Sequence, residues 1–147
     1  MDLHEIAQKN RASTERLKNI ALGMSKEELN QTLKNNWPVY ITLAHIAFWD
    51  MRVIHVIELA KKNHAVVAPA FDIQLNDIMT PLLRVIPPEA AVDLAIKTAG
   101  ALDVMLEACP MELIHQLMNV NPRLIDRSLH RNNHLDSIEA VYGKRKE

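Results

Sequence analysis

Glycine and cysteine are scarce in this chain, with three and one among 147 residues. The single thiol, Cys109, excludes an internal disulfide, so a reducing compartment and a cytoplasmic location are expected. Beside Pro110 at a predicted helix end, Cys109 reads as a small core hydrophobe. So few glycines, without alternating apolar and polar stretches joined by hairpin turns, argue against β-structure. They also leave no glycine-rich loop to cradle a nucleotide phosphate, and no nucleophilic Ser or Cys motif occurs. An excess of charge is missing as well. Seventeen Lys+Arg face eighteen Asp+Glu, a formal charge of −1, so no polyanion-binding surface and no nucleic-acid partner is expected. The basic end KRKE reads as a solvated tail. Apolar stretches are interrupted by charge or proline before the ~20 residues of a membrane span. The start, MDLHEIAQKN, lacks a basic segment followed by an apolar run, so no signal peptide is expected.

What the chain does have is helical periodicity and enough apolar mass, 48%, for one domain over residues 1–147 with a single core. A first helix is predicted over 2–22, with Leu3, Ile6, Ala7, Leu17, Ile20 and Ala21 inward and Gly23 as its stop. Ser25 and Glu28 form a capping box for a short helix ending near Leu33. Pro38 opens a long second helix over 38–62, because a first-turn proline lacks only an N–H that would have no partner there. At 1.5 Å per residue it is roughly 37 Å long. Tyr40, Leu43, Ala47, Met51, Ile54 and Ile57 form one stripe, and Ile41, Ala44, Phe48 and Val56 widen it. Residues 63–88 form a crossover with a short helix over 76–85. Pro87 and Pro88 open a third helix to Cys109, and Pro110 stops it. After a weaker segment over 111–119, Asn121 and Pro122 start a last helix over 122–142. The predicted fold is all-α: an antiparallel four-helix bundle with a long crossover between the second and third of these helices.

The chemistry lies in histidines. His130 and His134 in HRNNHLDSIE are one helical turn apart and share a face. Traced back from Val141, the steps Ile138, His134, His130 and then Arg127 or Leu124 are all three or four, so the pair continues an inward stripe. Buried imidazoles without partners are costly, and a cation that takes their nitrogen lone pairs relieves the cost. His45, in TLAHIAFWD, completes the set from the second helix. A polar stripe of Thr42, His45, Trp49 and Arg52 runs beside the apolar ones, as on a helix lining a pocket, and Arg127 joins that lining. Three nitrogen ligands would hold a divalent metal with a coordination position left open. His4, His55, His64 and His115 read as surface or interface residues. Met24, Met51, Met79, Met105, Met111 and Met118 read as core filler. Asp50, Asp126 and Asp136 are candidates to orient ligands, although each reads first as a solvated charge.

Trp37 followed eight positions later by His45 in WPVYITLAHIAFWD, together with HRNNHLDSI, resembles the DinB/YfiT-like superfamily over nearly the whole chain. The resemblance implies a four-helix bundle, often a homodimer, binding zinc, nickel or iron through one second-helix and two last-helix histidines. These correspond to His45, His130 and His134. It also implies hydrolysis, or S-transfer or isomerisation with a low-molecular-weight thiol. Two positions depart from the pattern. Pro38 stands where Ser or Thr often follows the tryptophan, and Asn133 stands where Glu often precedes the final histidine.

Two functions of different classes follow. One is a metal-dependent enzyme, a hydrolase or thiol S-transferase, whose cation activates a water or thiol against a small-molecule substrate. The other is a non-catalytic, metal-free bundle that binds or sequesters a small molecule, or acts as an interaction protein. A homodimer is expected, because the second helix is apolar on more sides than a monomeric bundle needs.

Overall fold

A computed structural model describes residues 2–70 and 73–143. Among these residues every regular element is a helix, apart from one isolated bridge between Thr32 and Pro38. The basic tail, residues 144–147, lies outside the described residues. So do positions 71 and 72 of the crossover.

Helix α1 spans Leu3–Leu22, with Asp2 accepting a hydrogen bond from the His4 amide. Helix α2, Lys26–Asn30, has both bonds of the Ser25–Glu28 capping box. It stops short of Leu33, where the sequence reading ended it. Gln31 is already extended, and the Leu33 amide turns back to the Trp37 carbonyl at 2.8 Å. The Val39 amide likewise reaches the Gln31 carbonyl at 3.0 Å. Asn36 closes this tight loop with a φ of 67°, a left-handed conformation that asparagine tolerates better than most residues. The loop delivers Trp37 to the head of the next helix.

Helix α3, Val39–Asn63, follows Pro38 and ends on His64, itself left-handed at φ 56°. Helix α4, Gln74–Arg84, lies in the crossover. Helix α5, Pro88–Ala108, begins with Pro88 in its first turn and ends at Cys109. Helix α6 is Met111–Val120. The last helix, α7, is Ser128–Tyr142, six residues later than the sequence reading placed it. Asn121 and Pro122 instead start a 3-10 turn, Pro122–Leu124, which Asn121 caps by accepting from the Arg123 amide. Leu124 and Ile125 then turn inward, both 3% exposed, and that burial separates the turn from α7.

Helix α3 packs on α5 and α7, and α1 packs on the same two helices. Between them Leu17, Ile20, Leu43, Ile46, Leu135 and Ile138 form one apolar cluster. Ile6, Val53, Ile57, Leu102, Leu106 and Leu117 form a second. Each fully buried Leu or Ile stabilises by about 1.5–3 kcal/mol. The further apolar side of α3 (Ile41 and Ala44) is covered by Met79 and Leu83 of α4 and by Ala91. The breadth of that surface is therefore accounted for within one chain. Met51, Met111 and Val141, read from the sequence as inward, are instead 40%, 56% and 39% exposed. No described helix is long and apolar enough to cross a membrane.

Candidate metal centre

His45 projects from the middle of α3, and His130 and His134 from successive turns of α7. The structure brings the three rings together. His45 and His130 present their Nε2 atoms to each other at 3.2 Å. One ring nitrogen from each of the three histidines lies within 4.8 Å of the others. Ring centroids are 4.6 Å apart for His45–His134, 4.7 Å for His130–His134 and 5.2 Å for His45–His130. Tetrahedral ligands at 2.0–2.1 Å from one ion would have nitrogens about 3.3 Å apart. The His45–His130 pair already has that spacing, and any remaining closure falls to His134.

Burial sets the protonation. It pushes His45 down to about 3, with His134 adding to the fall. His130 falls to about 2, through burial first and then through His134, Arg127, His45 and Arg123. His134 is also lowered by burial. All three are neutral near pH 7, the form that ligates. Neutral imidazoles that converge cannot all satisfy one another. Opposite tautomers let one Nε2–H of the His45–His130 pair donate to the other, but inward N–H groups on all three rings would collide and inward lone pairs on all three would repel. A cation at the point of convergence takes the lone pairs and fits this donor set. The Nδ1 atoms of His45 and His130 are buried without a protein partner among the described residues. An orienting carboxylate or carbonyl, common behind ligating histidines, is thus missing behind both. Ring packing takes its place: His45 lies 4.9 Å from Trp37 and 6.3 Å from Trp49, centroid to centroid.

The three histidines open into a cavity of about 640 Å³. Trp49, Arg52 and Arg127, the pocket residues expected from the sequence, all line it, as do Trp37 and Arg123. The Trp49 indole donates to Asn76 Oδ1 at 3.1 Å. Arg52 donates to the Pro69 carbonyl at 2.6 Å and lies 5.6 Å over the Trp49 ring. Thr42 turns its hydroxyl back to the Pro38 carbonyl and takes no part in the lining.

Behind α7 lies a buried charge network that the sequence reading missed. Asp50, read as a solvated charge, is fully buried. It accepts from Arg127 Nε at 3.0 Å and from Arg131 Nε at 2.9 Å. Arg131, also fully buried, donates through Nη1 to Asp103 at 2.9 Å and to Thr14 at 3.1 Å. Thr14 in turn donates to Asp103 at 2.5 Å. Asn10 of α1 accepts from the Arg127 and Ser128 amides at 2.9 and 3.1 Å and donates to the Ile125 carbonyl at 2.8 Å. It caps α7 from a distant helix. Burial lowers Arg127, with the Arg131 and Arg52 charges adding to the effect, although Asp50 opposes it. Only one part of this network has a local signal. Arg127 and Arg131 repeat the four-residue spacing of His130 and His134, three positions earlier, on the neighbouring face of the same helix.

Of the other two acids, Asp126 accepts from the Ser128 amide and hydroxyl. Asp136 pairs with Arg16 on the surface. Neither orients a histidine ring. His4, His55, His64 and His115 are exposed, as expected. Comparison with known proteins finds no matching family model, no matching curated protein and no matching solved structure.

Proposed function

We propose that this chain is a divalent-metal-dependent enzyme of the DinB-like type, acting on a small molecule by hydrolysis or thiol S-transfer. The observation that carries the reading is the convergence of His45, His130 and His134 at the floor of a cavity large enough for an organic substrate. Zinc, nickel or iron held there supplies Lewis acidity. The chain's own contribution is to keep three imidazoles neutral and converged. It also shields them with Trp37 and Trp49 and keeps one side open to the cavity. The contacts of α1 and α3 with both α5 and α7 support an antiparallel four-helix bundle, with α4 carried in the crossover. A low-molecular-weight thiol would enter by the same cavity. A homodimer belongs to the same reading. It is supported by the row of Ile78 and Leu82 on α4 and Val85 at its end, 62%, 68% and 79% exposed, and light scattering at monomer mass would reject it.

Elemental analysis of protein purified without a histidine tag tests the metal. About one divalent ion per chain, lost in His130→Ala, is expected. No stoichiometric metal after incubation with zinc, nickel and ferrous salts would overturn it. Screening thiol–electrophile pairs and hydrolysable esters or amides then separates S-transfer from hydrolysis. One observation favours a second reading, a metal-free binding or sequestering protein: the unpartnered Nδ1 atoms of His45 and His130. That reading predicts ligand binding unchanged by chelators and no turnover.

A further inference from the structure

The cavity wall beyond the histidines has a charge pattern of its own. Arg52, Arg123 and Arg127 line it, and no Asp or Glu among the described residues does. Arg127 has its Nε on Asp50 and its Nη1 on the Arg123 carbonyl at 2.7 Å. Its Nη2 has no protein acceptor among the described residues. The Arg123 guanidinium makes no hydrogen bond or ion pair with them. Arg52 is tied through one nitrogen to the Pro69 carbonyl, which fixes its fork beside Trp49. Among the described residues neither Arg52 nor Arg123 has a carboxylate partner, while the chain as a whole is at −1. Both tryptophans of the chain stand on the same wall. Such an arrangement is built for an anion with a flat organic body. Guanidinium forks match planar oxyanions, and indole faces match flat apolar groups.

We propose that the cavity recognises a small organic carboxylate, its carboxylate held by Arg123, Arg127 and Arg52 and its flat body packed against Trp37. The proposal deepens the metal-dependent reading by naming the substrate class of that site. The recognising groups are the arginines and do not require the ion.

The probe is phthalate, a dicarboxylate on a flat aromatic ring, compared with its uncharged dimethyl ester and with inorganic phosphate. Binding is followed by calorimetry and by the fluorescence of Trp37 and Trp49, the chain's two tryptophans. Phthalate is expected to bind metal-stripped and zinc-loaded wild type alike within a few-fold, and to weaken as salt rises. The ester should not bind. Arg123→Gln, a change on an exposed side chain, is expected to weaken phthalate about tenfold or more, the scale of a lost charge-assisted hydrogen bond. Arg52→Gln should do the same.

Equal binding of the ester, or no phthalate binding at about 10 mM to metal-free and zinc-loaded protein, overturns the proposal. So does binding that appears only with zinc and is untouched by Arg123→Gln. Phosphate binding as tightly as phthalate, with the same arginine dependence, overturns the carboxylate in favour of a phosphoryl ligand. Failure of the metal reading shows separately, as absent metal in the elemental analysis while phthalate still binds.

Discussion

Asp50 is the residue whose removal should be felt most strongly. It is fully buried and takes one hydrogen bond from each of two guanidiniums. In Asp50→Ala those two positive charges remain in the core with Asp103 alone to balance them. Removing one partner of a buried ionic network costs about 3–5 kcal/mol. At ~2–4 °C per kcal/mol for a domain of this size, the melting temperature should fall by about 6–20 °C. Urea unfolding followed by circular dichroism gives the free energy directly. Asp50→Asn keeps one acceptor oxygen and should fall between wild type and alanine. The decisive variant is Asp50→Leu combined with Arg131→Met. It removes a charge of each sign and should lose less than the two single variants added together. A loss under ~1 kcal/mol in Asp50→Ala, or a double variant no better than additive, would refute the view that this network holds α7 in place.

Asn10→Ala removes the cap of α7 and an additional bond to Ile125, and should cost about 2–3 kcal/mol; native-state hydrogen exchange should speed up at the Arg127 and Ser128 amides, and unchanged rates there would contradict the cap. For acid stability the sign follows from depressed values, about 3 for His45 and about 2 for His130 against an ordinary 6.5. The unfolded chain binds protons that the folded chain refuses, so the metal-free protein keeps this stability above pH 6.5 and loses it progressively as pH falls toward 3. Urea midpoints at pH 7.5, 6 and 5 should therefore decline more steeply in wild type than in a His45→Leu/His130→Leu variant, and parallel declines would reject the assignment. His64→Gly relieves a left-handed side-chain residue at the end of α3 and should raise stability by about 0.5–1 kcal/mol in a melting comparison.

The three histidines were legible because their signal is local. A four-residue spacing and a stripe fix which way His130 and His134 point, and the polar stripe of Thr42, His45, Trp49 and Arg52 does the same for α3. Arg131 was not legible in the same way. An arginine one position after His130 looks solvated until Thr14, Asp50 and Asp103 arrive from three other helices. Asp50 was misread for the same reason, since its partners lie far along the chain. The start of α7 failed on a competition between caps. Asn121–Pro122 is a sound helix opening, yet it yields only a 3-10 turn, because burying Leu124 and Ile125 redirects the backbone. Helix α7 then begins where Asn10 can cap it, a partner more than a hundred residues earlier. The exposed Met51 and Met111 show the reverse limit, in which an apolar residue type by itself does not specify burial.

The distant cap has a kinetic consequence. During synthesis α1, α3 and α5 are complete before α7 exists, so Asp50 and Asp103 have no guanidinium to meet and Asn10 has no helix end to hold. A collapsed chain without α7 would have to keep two carboxylates out of water uncompensated, or leave its core ajar. Closing a loop of this length is slow, but its entropic cost grows only with the logarithm of length. The bonds that close it come all at once when α7 docks. Consolidation of the core is thereby deferred to the arrival of the last helix, which is also the helix that carries His130 and His134. The completed core and the completed histidine triad therefore both depend on the docking of the same helix.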